Sequence, residues 1–255
     1  MAKTIRVGIL LFILATVAVG AWQKRSVIRS WKRTLDVVVY PVNGDARATT
    51  AAYIATLSGD SFSSIGEFMS REAQRHGLAL ARPVSVKLGP RVQSLPPGAP
   101  VGGQTLEIIR WSLQLRFWAW RNDDYAGPSP DARIFAVFFD PGVTPRVPHS
   151  VGLQEGHIGI ANVFAAEHMT EENNVIVTHE MLHTFGATDK YDPSTAQPLF
   201  PEGYADPARS PLHPQDFAEI MGGRIPLSER ESDTPRNLEL ALIGDKTAAE
   251  IHWRR

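Results

Sequence analysis

The chain has 255 residues, 43% of them apolar and 21% charged, with a net charge of −1. That length suits one domain of roughly 200 residues with a full core, and a near-neutral balance with no dense basic face argues against nucleic acid as a partner. There is no cysteine, which excludes disulfides, thiol catalysis and cysteine-held metal, and leaves histidine and carboxylates as the strong metal ligands.

Residues 7–22 form an uncharged apolar run preceded by Lys3 and Arg6. Two readings fit it: a signal peptide cut near Ala18-Val19-Gly20, or an uncleaved single-pass anchor with Trp22 at the interface. Lys24, Arg25, Arg29, Lys32 and Arg33 follow directly and favour the anchor. Residues 1–33 are therefore expected to be a membrane segment with a basic flank, and residues 34–255 a single domain. A protein secreted or periplasmic after signal cleavage is the alternative. The side of the membrane stays open, because positive-inside logic places the domain in the cytoplasm whereas domains of this kind usually lie outside.

Leu35 to Val42 is rich in β-branched residues and reads as a first strand, with Asn43-Gly44-Asp45 as its turn. Residues 47–76 are helical, broken around Ser58-Gly59-Asp60, with an amphipathic second half that ends at Gly77. Pro83 to Leu88 alternates as a second strand, and residues 89–103 are Pro- and Gly-rich loop. Thr105 to Trp120 reads as a helix on which Leu106, Ile109, Leu113, Phe117 and Trp120 recur at helical spacing. Its aromatic cluster, Trp111, Phe117, Trp118 and Trp120, is expected to pack in the core rather than form a ligand box. Arg133 to Phe139 is a buried strand, and Gly152 to Phe164 a strand pair or edge strand. Glu155 and His157 in that stretch read as polar groups on a solvated edge.

Thr170 is a good N-cap, with Glu171 and Glu172 in the first turn of a helix reaching Phe185. Val175, Thr178, Leu182 and Phe185 line its core side; Ile176, His179 and His183 lie on the adjacent side, facing a cleft. The six prolines of residues 192–214 exclude a long helix or central strand, and this segment is expected to wrap the far side of the cleft. Leu238 to Ile243 carries a short helical pattern, followed by Lys246 to Trp253. His149, His168 and His213 read as surface or loop histidines.

Chemistry concentrates in the stretch from His179 to Asp189 (HEMLHTFGATD). Four-residue spacing stacks His179 and His183 on one helix face, close enough to share a metal ion. Glu180 lies about 100° round the helix and reaches the same place without being a ligand. Gly186 stops the helix, and the turn after it brings Asp189 back as a third ligand. Three protein ligands and one open position are what a catalytic zinc needs.

His179, Glu180, His183, Gly186 and Asp189 match the pattern HExxHxxGxx(H/D), so the chain resembles the metzincins, a family of zinc metallopeptidases. The final Asp is similar to the snapalysin-type members. Metzincins also carry a methionine in a tight turn beneath the metal, and Ala218 to Gly223 resembles that turn, with Met221 the matching residue. The resemblance implies an α/β (α+β) fold with a twisted mixed β-sheet, an active-site helix and a Met-turn subdomain, which the order of strands and helices also suits. It implies one catalytic Zn2+ and a peptide or protein substrate lying along an antiparallel edge strand; Gly156 to Val163 is the best positional match, including Gly156, His157, Ile158, Gly159 and Ile160. Tyr191 is a candidate for oxyanion support, and Glu219 an alternative third ligand.

The expected activity is that of a zinc metalloendopeptidase. Zinc activates a water, Glu180 takes its proton as general base, and the metal polarises the scissile carbonyl. The anionic Asp189 would make that water somewhat less acidic than a third histidine would. The alternatives are a non-catalytic zinc-binding relative, against which Glu180 argues, and a zinc hydrolase of a non-peptide or cell-wall amide. The oligomeric state is left open.

Overall fold

In the computed structural model, residues 7, 19–20, 25–100, 104–154 and 156–254 are described. The β-branched runs form the sheet. Strands β1 (Leu35–Asn43), β2 (Val84–Leu88) and β3 (Ala132–Phe139) are parallel, with β1 between the other two. The short β4 (Val151–Leu153) lies antiparallel on β5 (Ile158–Phe164), which in turn runs parallel to β3, so the order is β2-β1-β3-β5-β4. Parallel neighbours need crossover connections. Helices α1 (Ala48–Thr56) and α2 (Ser63–Arg75) join β1 to β2, and α3 (Thr105–Arg121) joins β2 to β3. Helix α4 (Thr170–Phe185) follows β5, and α5 (Asp245–Glu250) lies near the C-terminus. The fold is α+β with a five-stranded mixed sheet, the class expected from the sequence.

Both faces of the central strands are covered, which is why they read as continuous apolar runs. Val37, Val39, Ile134 and Ala161 pack with residues of α2 and α4 on one face. Val38, Tyr40, Phe135 and Val137 pack with Trp111, Leu115 and Ala119 of α3 on the other. Ile28 and Trp31, placed with the N-terminal segment in the sequence reading, are buried in the first of these clusters. The Trp31 indole N–H donates to the Ile251 carbonyl at 2.6 Å, and its ring meets Phe185 edge-on at 5.4 Å. Arg33 forms a two-point ion pair with Asp131, both contacts at 2.7 Å.

Four expectations need correction. First, no helix among the described residues is long and apolar enough to cross a membrane, which overturns the single-pass anchor. The sixteen-residue run is shorter than the roughly 20 residues a spanning helix needs, and Arg33 of its basic flank is used inside the fold. Most of that run, and Trp22, lie outside the described residues.

Second, the stripe Leu106, Ile109, Leu113, Phe117 and Trp120 is the exposed face of α3, at 50–77% exposure, while Trp111, Leu115 and Ala119 face the sheet. Helical spacing identified a face but not its direction, because α3 is apolar on both sides. Third, Ile158, Gly159 and Ile160 belong to an interior strand, and Gly156 and His157 to the turn before it; the antiparallel edge is β4. Nor is His157 a solvated edge residue: it is buried, and Glu155 lies outside the described residues. Fourth, among the described residues the Pro-rich segment does not line the cleft beside His179 and Glu180; loop residues 146–150, Ile220 and Gly223 do.

Candidate metal centre

Helix α4 positions the centre. It begins at Thr170, one residue earlier than expected: Met169 and not Thr170 occupies the cap position, and the Thr170 hydroxyl meets that of Tyr53 at 3.1 Å. Val175, Thr178, Leu182 and Phe185 are buried as expected. Gly186 ends the helix at φ +114°, its N–H shared between the Leu182 and His183 carbonyls at 3.1 Å. That left-handed residue turns the chain so that Asp189 returns to the two imidazoles.

The helix also sits unusually close to the sheet. Gly152 of β4 pairs with Gly159 of β5. A Cβ on Gly152 would collide with that of His183 and lie 2.9 Å from the Glu180 carbonyl oxygen. A Cβ on Gly159 would lie 3.4 Å from the same oxygen. The two glycines thus let α4 settle onto the β4–β5 pair with His183 against the edge strand. Gly inside a strand is a readable sign of such an approach, and the sequence reading passed over it.

His179 Nε2 lies 3.0 Å from Asp189 Oδ1, His183 Nε2 lies 3.1 Å from the same oxygen, and the two Nε2 atoms are 3.1 Å apart. Each histidine meets a backbone carbonyl through its other nitrogen: His179 Nδ1 at Ile220 O and His183 Nδ1 at Ala187 O, both 2.8 Å. A carbonyl only accepts, so both Nδ1 atoms carry hydrogen and both Nε2 atoms face the shared point. His179, Glu180 and His183 each bring a ligand atom within 4.8 Å of the others, a group able to hold a metal ion.

Burial would depress the His179 imidazolium, but its bond to Asp189 and the charge of Glu180 outweigh this and push it up to about 9. Asp189 is also penalised by burial, yet the two histidines hold its carboxyl well below the usual carboxylate range. Burial lifts Glu180 to about 7, against the pull of His179 and His183. Its Oε2 is buried with no hydrogen-bond partner. Tyr191 stands beside the pair, its ring 6.2 Å from that of His179. Burial, Asp189 and Glu180 raise its hydroxyl to about 12, so it stays protonated.

The expected Met-turn is present as a turn: the Gly222 and Gly223 N–H groups both donate to the Glu219 carbonyl, and Met221 is fully buried. It supports the centre through the Ile220 carbonyl on His179. Glu219 is turned away from the histidines. One of its carboxylate oxygens accepts from the N–H groups of Met221 and Gly222, the other from Gly244 N–H and the Thr247 hydroxyl. His157 Nδ1 meets the Thr184 carbonyl at 2.9 Å, fastening the turn before β5 to the end of α4.

A further support comes from α5. The Glu250 carboxylate accepts from the Thr188 N–H at 2.9 Å, the Thr188 hydroxyl at 2.8 Å and the Lys190 ammonium at 2.8 Å, the residues on either side of Asp189. Sixty residues of chain separate these partners, and no local pattern announces the pairing. The cleft in front of the centre has a volume of about 280 Å³, with Arg146, His149, Ile176 and Tyr191 among its walls.

No protein-family model matches the chain, and no curated protein matches it. A solved structure of a chaperone–substrate complex aligns with 86% of this chain at 13% identity and a TM-score of 0.40. The alignment spans 33% of that other chain, and a likeness at this level carries no argument about function.

Proposed function

We propose that the chain is a zinc-dependent metalloendopeptidase, and the triangle of His179 Nε2, His183 Nε2 and Asp189 Oδ1 carries the reading. Its sides of 3.0, 3.1 and 3.1 Å are slightly shorter than the roughly 3.3 Å between ligands on one face of a zinc tetrahedron with bonds of about 2.0–2.1 Å. Two imidazoles and one carboxylate are a zinc donor set, whereas calcium or magnesium asks for more oxygens. Asp189 rather than Glu180 takes the third position, because Asp189 bonds both imidazoles while Glu180 Oε2 bonds nothing. The four other partners of the Glu219 carboxylate speak against it as that ligand.

Zinc, when bound, supplies a Lewis acid that brings a water towards ionisation near pH 7 and polarises a carbonyl. The Glu180 carboxylate, lifted above the usual carboxylate range by burial, accepts the proton of the attacking water and returns it to the leaving amine. The protonated Tyr191 hydroxyl donates to the oxyanion that develops at the carbonyl. A buried carboxylate oxygen without a partner is a cost that a purely structural site has no reason to carry.

The test is metal content and hydrolysis of a mixed peptide library, for the protein and for Glu180→Gln. About one zinc per chain is expected in both, with cleavage reduced in the variant by a factor of about 10²–10⁴. Zinc binding by a protein that cuts nothing its variant does not cut would sink the peptidase reading.

A further inference from the structure

We infer that the outer face of α3 is a docking surface for an anionic lipid membrane, with the helix lying in the plane of the interface rather than crossing it. The inference goes beyond the peptidase reading and does not rest on it. Helix α3 turns Trp111, Leu115 and Ala119 to the sheet, which is the apolar stripe that a helix on a core needs. It carries a second stripe on the opposite side. Leu106, Ile109, Leu113, Phe117 and Trp120 fall within an arc of about 80° round the helix, and they are 77%, 50%, 60%, 60% and 73% exposed. A surface helix ordinarily shows charged and polar residues there, and contiguous apolar surface rimmed by polar groups marks a protein or membrane contact.

What borders the stripe selects the membrane. Arg110 and Arg121 flank the arc on one side and Arg116 on the other, each within about 40° of its edge. Arg110 and Arg121 are exposed and meet no acid among the described residues. Glu107, the single acid of the helix, is turned back to the helix start, where it accepts from the Gln104 N–H at 3.0 Å. The face thus joins large apolar side chains to uncompensated cations, the pattern of helices that rest among anionic headgroups. A second copy is the poorer occupant, because a symmetric pair brings the same arginines against one another.

The tryptophans of α3 point the same way. The Trp111 indole donates to the Pro97 carbonyl and that of Trp118 to the Ser94 hydroxyl, both at 2.9 Å. Trp120 lies beside Phe117 with ring centroids 5.8 Å apart, and its N–H has no such partner among the described residues. An exposed indole with a free N–H suits a boundary that is apolar on one side and wet on the other. Helix α4 packs on the other face of the sheet, so a molecule resting on α3 holds its metal centre away from the lipid.

The chain has no cysteine, so one introduced thiol carries one label. Leu113→Cys, and as a control Glu67→Cys on the exposed side of α2, each carry an environment-sensitive nitrobenzoxadiazole fluorophore in the full chain. Circular dichroism and a thermal melt check that the fold is kept. The vesicles are phosphatidylcholine alone, or phosphatidylcholine with phosphatidylserine in a roughly three-to-one ratio. On the anionic vesicles the label at position 113 is expected to brighten, to shift to shorter wavelength and to be quenched by spin-labelled acyl chains, while the label at position 67 stays unchanged. Arg110→Glu with Arg121→Glu should weaken the affinity read at position 113 by about tenfold or more, and Phe117→Ser with Trp120→Ser by about as much. Protein that sediments with vesicles while the label at position 113 stays silent overturns the inference, since another part of the chain then makes the contact. So does a response that is the same at both labels, or one untouched by the arginine pair. A shift at position 113 that grows with protein concentration in the absence of lipid also overturns it, and assigns the face to a second copy. No peptide enters the measurement, so either result leaves the peptidase reading to its own test.

Discussion

Asp189 and Glu219 are both carboxylates near the histidine pair, and their surroundings give them different work. Asp189 is about half exposed, and its carboxylate faces the two imidazoles. Glu219 is fully buried and accepts from four donors that hold the turn around Met221. Exchanging each in turn should therefore separate metal binding from stability. Asp189→Ala removes the proposed third ligand from a surface position; zinc affinity should fall by about a hundredfold or more, beyond the 10–100-fold typical of groups that only support ligands, while the metal-free protein melts close to wild type. Glu219→Gln places an amide N–H₂ against backbone donors, at a cost of about 1–3 kcal/mol, and should lower Tm while leaving one zinc per chain. A competition titration with a chromophoric chelator and a thermal melt read both effects. Zinc held undiminished by Asp189→Ala would remove Asp189 from the ligand set.

At the scale of elements, the centre depends on how closely α4 approaches the sheet and on what holds the loop after it. Gly152→Ala puts a methyl group into the backbone of α4 and into His183. Overpacking of this kind costs about 1–3 kcal/mol, and because His183 itself must move, zinc affinity should fall together with Tm. A loss of Tm with unaltered affinity would mean that the helix shifts without carrying the imidazole. The loop is held by Glu250. Burial alone would raise its carboxyl, but Lys190 and Thr188 outweigh that and bring it below the usual range. A depressed folded pKa means that the contribution is full above the unfolded value of about 4.3 and fades as pH falls through the folded value. Glu250→Gln should therefore melt below wild type at pH 7, with the gap closing in melts taken below about pH 4. A gap of constant size across that range would mean that the charge of Glu250 is not what holds the loop.

For the whole molecule, the parts legible in the sequence were those governed by neighbours in the chain. The strands at Leu35, Val84 and Ala132, the helix carrying the histidines and its stop at Gly186 all follow from local periodicity and backbone preference. So did the approach of Asp189 to His179 and His183, because three residues after a left-handed glycine leave the chain little choice. The outward direction of the α3 stripe, the choice of β4 over β5 as the edge, and the clamp from Glu250 were not legible, since each is decided by residues tens of positions away. The N-terminal boundary failed for the same reason. A basic flank beside an apolar run suggested a membrane segment through residue 33, yet Ile28 and Trp31 are 2% and 5% exposed in the core under α4, with Trp31 wedged between Phe185 and Trp253. The end of α4 thus rests on a residue that precedes the first strand. A chain beginning at Arg25 keeps both residues, and one beginning at Thr34 loses them. Loss of a buried Trp alone costs about 3–5 kcal/mol, which for a domain of this size lowers Tm by roughly 6–20 °C. The longer chain is expected to melt near the full-length protein and bind zinc equally well; the shorter is expected to melt in that lower range, and with Phe185 uncovered at the end of α4, to bind zinc more weakly. Equal melting of the two chains would place the fold's boundary at residue 34 and detach Trp31 from the support of the metal centre.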